Sequence, residues 1–442
     1  MAKLYISFLG TSDYLTCSYQ YQDKLIKDVR FVQEATIRLH CKNWSKNDKI
    51  LIFTTQDALK KNWKDNGHKD RKTKEYPDRT GLKKCLKSLQ LNCPIQQINI
   101  PDGKNEAEIW KIFSIVFDEI EQNSEIIFDI THAFRSIPML AMVILNYAKV
   151  IKDVSLNGLY YGAMESLGDY RSVEKMPLDK RIIPIIDLTS FDYLMEWSIG
   201  IDQFLKSGNA SLVSKLAEKS ARTILSRTKG KDRSQHIIRR LAENLEAFTK
   251  TLSTCRGLDI SDRVVRLKIT LDECKKVKLN DSLNKPLKPL LEKINKQMET
   301  FPENLYKDGI QAARWCLEHN LIQQSYTILQ ETLISHFLKS IDENPFNFQS
   351  KNRKLVNQAV YIFFDKSPDK TDKNRSSEEQ KIINKLLNYY SLNKSIVETH
   401  RNLSQFRNDI NHCGFNENPA RISTLTNKLN EFINQIEKDI AI

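Results

Sequence analysis

The sequence predicts an α/β domain with a parallel sheet covered on both faces over residues 1–188, then an all-α domain over residues 189–442. Apolar strand-like runs alternate with amphipathic helical patterns through the first part, as such a sheet requires. Past Leu188 the strand-like runs nearly vanish and long helical periodicities take over. The length of 442 residues also exceeds what one ordinary core holds.

Leu4–Leu9 is the first strand-like run and ends in Gly10-Thr11-Ser12. Lys49–Thr54 is the second, Ile95–Ile100 a weaker third, Glu125–Ile130 the fourth, Leu156–Tyr161 the fifth and Ile182–Leu188 the sixth. Helical patterns lie between them over Phe31–Cys41, Gln56–Trp63, Gly81–Leu91, Glu106–Ile120 and Ile137–Ile151. Sheets of this kind bind ligands beyond the carboxyl ends of their strands, near a switch in strand order. In the second part helical patterns cover Phe191–Lys206, Ser211–Ser226, Ile237–Thr254, Gln311–His319, Gln323–Ile341, Leu355–Phe364, Ser377–Tyr390, Ser395–Asn411 and Pro419–Ile436. Polar loops interrupt them at Thr228–Gln235 and at about residues 365–379. The second loop is charged and poor in apolar residues, which predicts an insertion.

The chain carries 68 Lys and Arg against 55 Asp and Glu, a formal charge of +13. That balance suits a polyanion such as RNA, and equally a lysine-rich solvated surface. The cysteines at 17, 41, 85, 93, 255, 274, 316 and 413 form no CxxC and none pairs with a histidine at metal-ligand spacing. Reduced thiols in a cytoplasm and no structural metal are the expectation. The opening Met1–Gly10 reads as a strand with no cleavage signal, and the apolar stretch Ile137–Ala148 is too short to span a bilayer.

Two loops follow apolar strands and offer anion-binding groups. Gly10, Thr11 and Ser12 supply a tight backbone, amides and hydroxyls, although a plain strand-ending turn has the same composition. The loop Asp129–Ser136 leads into a helix with Pro138 near its first turn and Ser136 at the N-cap position. It gathers Thr131, His132, Arg135 and Ser136 at a helix's positive end. The alternative is a capped helix with a solvated arginine.

Asp129-Ile-Thr-His-Ala133 resembles the DxTHG motif of the CARF–HEPN proteins of type III CRISPR systems. Phe8-Leu-Gly-Thr-Ser12, Phe31-Val-Gln-Glu-Ala35, Phe53-Thr-Thr55, Tyr160-Tyr-Gly-Ala163 and Pro184-Ile-Ile-Asp-Leu-Thr189 are similar to that family as well. The matches run in order across the first 210 residues and resume near Ala312–Gln324 and at the C-terminus. The resemblance implies a Rossmann-like CARF sensor domain that dimerises, followed by a helical HEPN domain. It implies that cyclic oligoadenylate, with cyclic tetra-adenylate the commonest form, is the activator. The binding residues it implies are Gly10, Thr11, Ser12, Thr54, Thr55, Thr131, His132, Arg135 and Ser136. Ala133 stands where the family usually has glycine.

Near the C-terminus Arg407 and His412 form an R-x4-H pair, which resembles the HEPN nuclease motif, with Asn408 at the polar position after the arginine. RNA can be cut without metal when its own 2′-hydroxyl attacks the adjacent phosphate. A histidine can move the proton and an arginine can stabilise the phosphorane oxygens. Residues five apart on a helix lie about 140° apart, so the pair does not share one face. Gly414 predicts the helix end there. Arg314 and His319 make a second R-x4-H pair, read as structural at the end of a packed helix. No HExxH, GxxxxGK[ST] or GxSxG motif occurs.

The resemblance therefore implies a homodimeric, metal-independent endoribonuclease for single-stranded RNA, with no cofactor, no membrane and no stable association with the CRISPR effector complex. Two rival readings stand beside it. One is a ligand-sensing regulator or scaffold whose helical half only dimerises; the other is a toxin that cuts RNA without any messenger. A sensor half that degrades its own messenger through Thr11, Ser12 and His132 is a further reading the loops admit.

Overall fold

The computed structural model describes residues 1–69, 73, 75–131, 137–227, 232–276, 287–347, 351–365 and 375–440. The chain divides into two compact units, Met1–Tyr193 and Leu194–Ile442.

The first unit is built on an eight-stranded sheet in the order β3-β2-β8-β7-β6-β1-β4-β5. The strands are β1 (Lys3–Leu9), β2 (Cys17–Tyr21), β3 (Lys24–Val29), β4 (Lys49–Thr54), β5 (Ile95–Asn99), β6 (Glu125–Asp129), β7 (Ser155–Gly162) and β8 (Ile182–Asp187). All six runs read as strands in the sequence are strands. Its helices are α1 (Val32–His40), α2 (Gln56–Ala58, continuing as a π-helical turn over Leu59–Trp63), α3 (Leu82–Ser88), α4 (Glu106–Asp118), α5 (Ile137–Lys152) and α6 (Tyr170–Lys175). The boundary falls inside α7 (Thr189–Ser207).

Strand alternation sorts the core into two layers. On β1, Leu4, Ile6 and Phe8 pack with Leu51 and Phe53 of β4 against α4 and α5, through Ile112, Val116, Ile144 and Leu145. Tyr5 and Leu9 face the opposite way, with Ile50 and Ile52, toward Phe31, Ile37, Leu82 and Leu86. A sheet covered on both faces explains why β1 and β4 are near-continuous apolar runs.

The sheet is not wholly parallel. β2 and β3 form an antiparallel hairpin, and β7 pairs antiparallel with β8. The hairpin was not legible because both strands are short and polar, and its turn carries Gln22 at φ 54° rather than glycine or asparagine. Its edge strand exposes Lys24 and Lys27, a composition that discourages further pairing.

The second unit is helical throughout its described residues. It comprises α8 (Ser211–Arg227), α9 (Arg233–Ser253), α10 (Ile260–Lys276), α11 (Lys288–Met298), α12 (Leu305–Glu318), α13 (Ile322–Ser340), α14 (Asn352–Asp365), α15 (Ser377–Leu392), α16 (Lys394–Asn411) and α17 (Ile422–Asp439). α10 and α11 are additions to the helices singled out in the sequence. The polar segment Thr228–Gln235 is shorter than read, because Asp232 caps α9 through the Ser234 and Gln235 amides. The 365–379 segment is likewise entered by α15, whose capping box joins Ser376 and Glu379; residues 366–374 lie outside the described ones. Leu329, Leu333 and Phe337 of α13 form the spine of the core with Val356, Ile383, Leu386, Leu403 and Ile433. No helix among the described residues is long and apolar enough to cross a membrane.

His400 of α16 lies within this core, ring-to-ring at 5.4 Å from Phe337, and neither ring nitrogen finds a partner among the described residues. Burial drives its pKa down to about 4 from an ordinary 6.5, so the folded chain holds it neutral. Between those values the unfolded chain takes up a proton that the native state refuses. Stability from this site is complete above about pH 6.5 and is lost as the pH falls toward 4. His400→Phe should therefore flatten the acid limb of a urea-unfolding series over that window, by on the order of 3 kcal/mol relative to the unaltered chain. A parallel pH dependence in both chains would show that His400 is not the titrating group.

Candidate functional site

The carboxyl edge of the first unit's sheet brings together three of the sequence-predicted segments. β1 lies between β4 and β6, parallel to both, with Leu9 opposite Thr54 and Ser7 opposite Asp129. The chain runs outward from β1 through β4 to β5 and in the other direction through β6 to β7. The gap between β1 and β6 is therefore the switch in strand order. Gly10–Ser12 leaves one side of it and Thr131 leaves the other. His132, Ala133, Arg135 and Ser136 lie outside the described residues.

Asp129 is the knot under this edge. Its fully buried carboxylate accepts hydrogen bonds from Thr131 N at 3.0 Å, Thr131 Oγ1 at 2.6 Å, Tyr5 OH at 3.0 Å and Thr36 Oγ1 at 3.0 Å. Burial pushes its pKa up, and these hydrogen bonds oppose the rise. Thr131 Oγ1 in turn accepts from Gly162 N at 2.8 Å. A Cβ on Gly162 would meet Val32 Cγ2 at 2.7 Å, so the close approach that makes this bond needs glycine. The Tyr160–Ala163 segment and the Phe31–Ala35 segment are thus tied to the Asp129 loop. Gln33 adds to this by donating to the Phe8 carbonyl at 2.9 Å.

Gly10 and Ser12 are braced from another side. The buried Asn62 amide donates to both of their carbonyls at 2.9 Å, and His68 Nε2 sits 3.0 Å from Asn62 Oδ1. Asp13 closes the loop between Arg30, at 3.0 Å, and Arg79, at 2.7 Å. The hydroxyls of Thr11 and Ser12 have no partner among the described residues, and Ser12 is exposed. Thr54 and Thr55 differ. Thr54 is fully buried and accepts from Gln97 Nε2 at 2.7 Å, while Thr55 caps α2 through the Ala58 amide. Their hydroxyls are engaged inside the fold. Asn62, Asp13, Arg30 and Arg79 carry no local sequence signal, since their partners are distant in the chain.

In the second unit, α16 ends in a Schellman arrangement. Gly414 N donates to the Asp409 carbonyl at 2.9 Å and Cys413 N to the Ile410 carbonyl at 3.0 Å, with Cys413 at φ 55° and Gly414 at φ 69°. His412 is the C-cap residue and is exposed, as is Asn408. Arg407 is half-buried. With its side-chain oxygen turned inward, Asn411 accepts from Arg407 Nε at 2.8 Å and Nη1 at 3.2 Å. No hydrogen bond joins Arg407 to His412 among the described residues, as their angular separation on the helix requires. Asp409 secures the following turn by accepting from the Asn416 amide and from Ala420 N.

The second R-x4-H pair is absorbed by packing. Arg314 makes a two-pronged bond to Glu437 at 2.6 and 3.0 Å and a further one to Asn434. His319 is buried, stacks on Trp315 at 3.9 Å and contacts the carbonyls of Trp315 and Leu205. Among the described residues no group of three or more His, Cys, Asp or Glu side chains is placed to hold a metal ion.

Removing the Asp129 carboxylate should strand the Tyr5 and Thr36 hydroxyls in a dry interior. Asp129→Ala is expected to lower urea-unfolding stability by about 3 kcal/mol, and Thr36→Val by about 1 kcal/mol. Equal, negligible losses in both would contradict the role given to this carboxylate.

Residues 4–165 match the family model for the CARF domain of the CRISPR system endoribonuclease Csx1. Residues 193–305 match the model for the second domain of the CRISPR-associated protein MJ1674. The CRISPR-associated protein MJ1674 of Methanocaldococcus jannaschii is 24% identical over 264 residues, 59% of this chain. The matched stretch spans 36% of that relative's length, so the chain corresponds to about a third of it. A sheet with its strand-order switch at the Asp129 loop, matched by the CARF model from β1 through β7, leads to one assignment: residues 4–165 form a domain of the CARF type found in the CRISPR system endoribonuclease Csx1.

Proposed function

We propose that this protein is a messenger-gated endoribonuclease in which residues 1–188 sense cyclic oligoadenylate and residues 189–442 form a HEPN ribonuclease. The messenger, with cyclic tetra-adenylate as the first choice, sits over the Gly10–Ser12 and Asp129–Ser136 loops of two copies of the chain. Its oligoadenylate phosphates meet loop amides and hydroxyls. Binding favours the arrangement in which two Arg407–His412 pairs converge on single-stranded RNA. Such gating requires the messenger to bind that arrangement more tightly than the resting one.

The observation that carries the reading is the end of α16, found in a chain with a CARF domain. There an exposed imidazole stands at the helix terminus, five residues after a guanidinium braced by Asn411. One His412 takes the proton from the 2′-hydroxyl, the 2′-oxygen bonds to phosphorus, and the bond to the 5′-oxygen breaks. The partner's His412 returns a proton to that 5′-oxygen, while Arg407 steadies the negative phosphorane oxygens. The products are a 2′,3′-cyclic phosphate and a 5′-hydroxyl. No metal or cofactor enters these steps, and the enzyme acts in the cytoplasm without standing on the CRISPR effector complex. Asn408, on the same exposed stretch, contacts the strand.

The homodimer finds support in α5. Met139, Val143, Tyr147 and Val150 recur at helical spacing on one exposed face, with Met139 76% and Val150 78% accessible. The stripe continues onto α4 through Phe113, 5.5 Å from Tyr147, to the exposed Trp110. An apolar face of this kind on a folded unit marks a protein contact. A second copy is its occupant because α5 follows the Asp129–Ser136 segment in the chain, so pairing through this helix joins two messenger-binding units.

A fluorescent RNA assay in EDTA, with cyclic tri-, tetra- and hexa-adenylate compared, tests the reading. Cleavage should appear with one ring size only and fall at least about a hundredfold in His412→Ala, with messenger binding retained. Messenger binding without cleavage in either chain would favour the scaffold reading, and cleavage indifferent to every messenger the toxin reading.

A further inference from the structure

We propose that the second unit carries a nucleobase-binding groove, in which Tyr306 and Phe346 flank a base of the RNA strand and Thr327 and Glu331 meet its edge. The groove has a volume of about 370 Å³ and is lined by these residues together with Arg256 and Arg353. That volume falls in the range of sites that enclose small organic groups. The inference rests on the nuclease reading for its choice of RNA as occupant, and on the groove's own chemistry for the base.

Charge argues for a base over a phosphate. Arg353 is committed: it donates to Glu331 Oε2 at 2.5 Å, to the Glu331 carbonyl at 3.0 Å and to Ser335 Oγ at 2.8 Å. Arg256 shares the lining with Asp259, so no uncompensated cluster of cations awaits a phosphate. What remains is two aromatic rings, aliphatic walls at Leu258 and Ile328, and hydroxyls that both donate and accept. A flat, neutral ring with hydrogen-bonding edges matches that lining. The walls are also held in place, since Arg353 fixes Glu331 and donates to the carbonyl of Pro345, next to Phe346, at 3.4 Å. Phe346 is 39% accessible, a large apolar ring left open beside the groove.

Position argues for RNA. Gln323, Thr327 and Glu331 lie four residues apart on one face of α13. Gln323 sits 3.3 Å from the side-chain amide of Asn411, the residue that braces Arg407. The groove therefore opens about 6 Å along α13 from the support of the candidate catalytic arginine. Cys255, which lines the groove, feels Arg407 and Arg256 directly: burial pushes its thiol pKa up and both guanidiniums pull it back. A strand with its scissile phosphate at Arg407 has a neighbouring base within reach of Tyr306 and Phe346.

The test is anisotropy of the full chain with fluorescein-labelled single-stranded RNA decamers in EDTA, using a His412→Ala background so that no strand is cut. Phe346→Ala and Tyr306→Leu should each weaken binding about tenfold, the effect of removing one stacking partner. Tyr306→Phe should bind within about twofold of the parent chain, because the stacking face remains. Thr327→Trp, which fills the groove instead of emptying it, should weaken binding as well. An oligomer with abasic sites should bind all these chains alike. Unchanged affinity in Phe346→Ala, Tyr306→Leu and Thr327→Trp, with thermal midpoints matching the parent, overturns the groove. So does an equal loss for the abasic oligomer, which would mean that the backbone is being held. Because binding is read without cleavage, a chain that holds RNA here and never cuts it refutes the nuclease reading alone. A chain that cuts RNA normally with the groove filled refutes the groove alone.

Discussion

A buried carboxyl group organises the carboxyl edge of the first unit's sheet. Among the described residues Asp129 makes no ion pair; its carboxyl is held by hydrogen bonds from Tyr5, Thr36 and Thr131. Each donor comes from a different element, β1, α1 and the loop after β6. Leaving any of these groups unpaired in a dry interior costs free energy, so the three elements hold one another in a single arrangement. Gly10–Ser12 and Thr131 then stand at fixed positions on either side of the switch in strand order. An anion held there meets Gly10–Ser12 and Thr131 at positions settled before it arrives, which reduces the ordering cost of binding.

The end of α16 follows a different logic. Its candidate groups sit at a helix terminus instead of a strand edge. The Schellman turn releases the chain at His412, while Asp409 secures the residues that follow. Asn411 holds the guanidinium of Arg407 in place. The imidazole is left in water, and the arginine is half-buried, where its charge acts through less solvent. One chain supplies a single copy of each group. Transesterification needs a proton removed at one oxygen and supplied at another, which gives the proposed homodimer a chemical reason.

Much of this architecture could be read from residue order. The strands β1, β4 and β6 announce themselves because a sheet covered on both faces requires apolar residues at successive positions. The end of α16 was legible from Gly414. The hairpin of β2 and β3 was not, because edge strands are short, polar and joined here by Gln22-Asp23 instead of a glycine turn. Asp129 was visible within its motif, whereas its partners Tyr5 and Thr36 lie 124 and 93 residues away and have no periodic signature. Asn62 is hidden in the same way. Thr54 and Thr55 show the reverse: their composition suits a ligand loop, yet the register of β4 beside β5 turns one hydroxyl inward and the start of α2 captures the other. The groove beside Tyr306 and Phe346 joins residues from separate helices and turns, so only the folded chain assembles it.

In the proposed reaction a guanidinium and an imidazole, each contributed twice, break RNA without a divalent ion. Mass spectrometry of the fragment ends, after messenger-triggered cleavage in excess EDTA, addresses it most directly. We expect a 2′,3′-cyclic phosphate on one fragment and a 5′-hydroxyl on the other. Fragments ending in a 5′-phosphate and a 3′-hydroxyl, formed only once magnesium or manganese is restored, would contradict it.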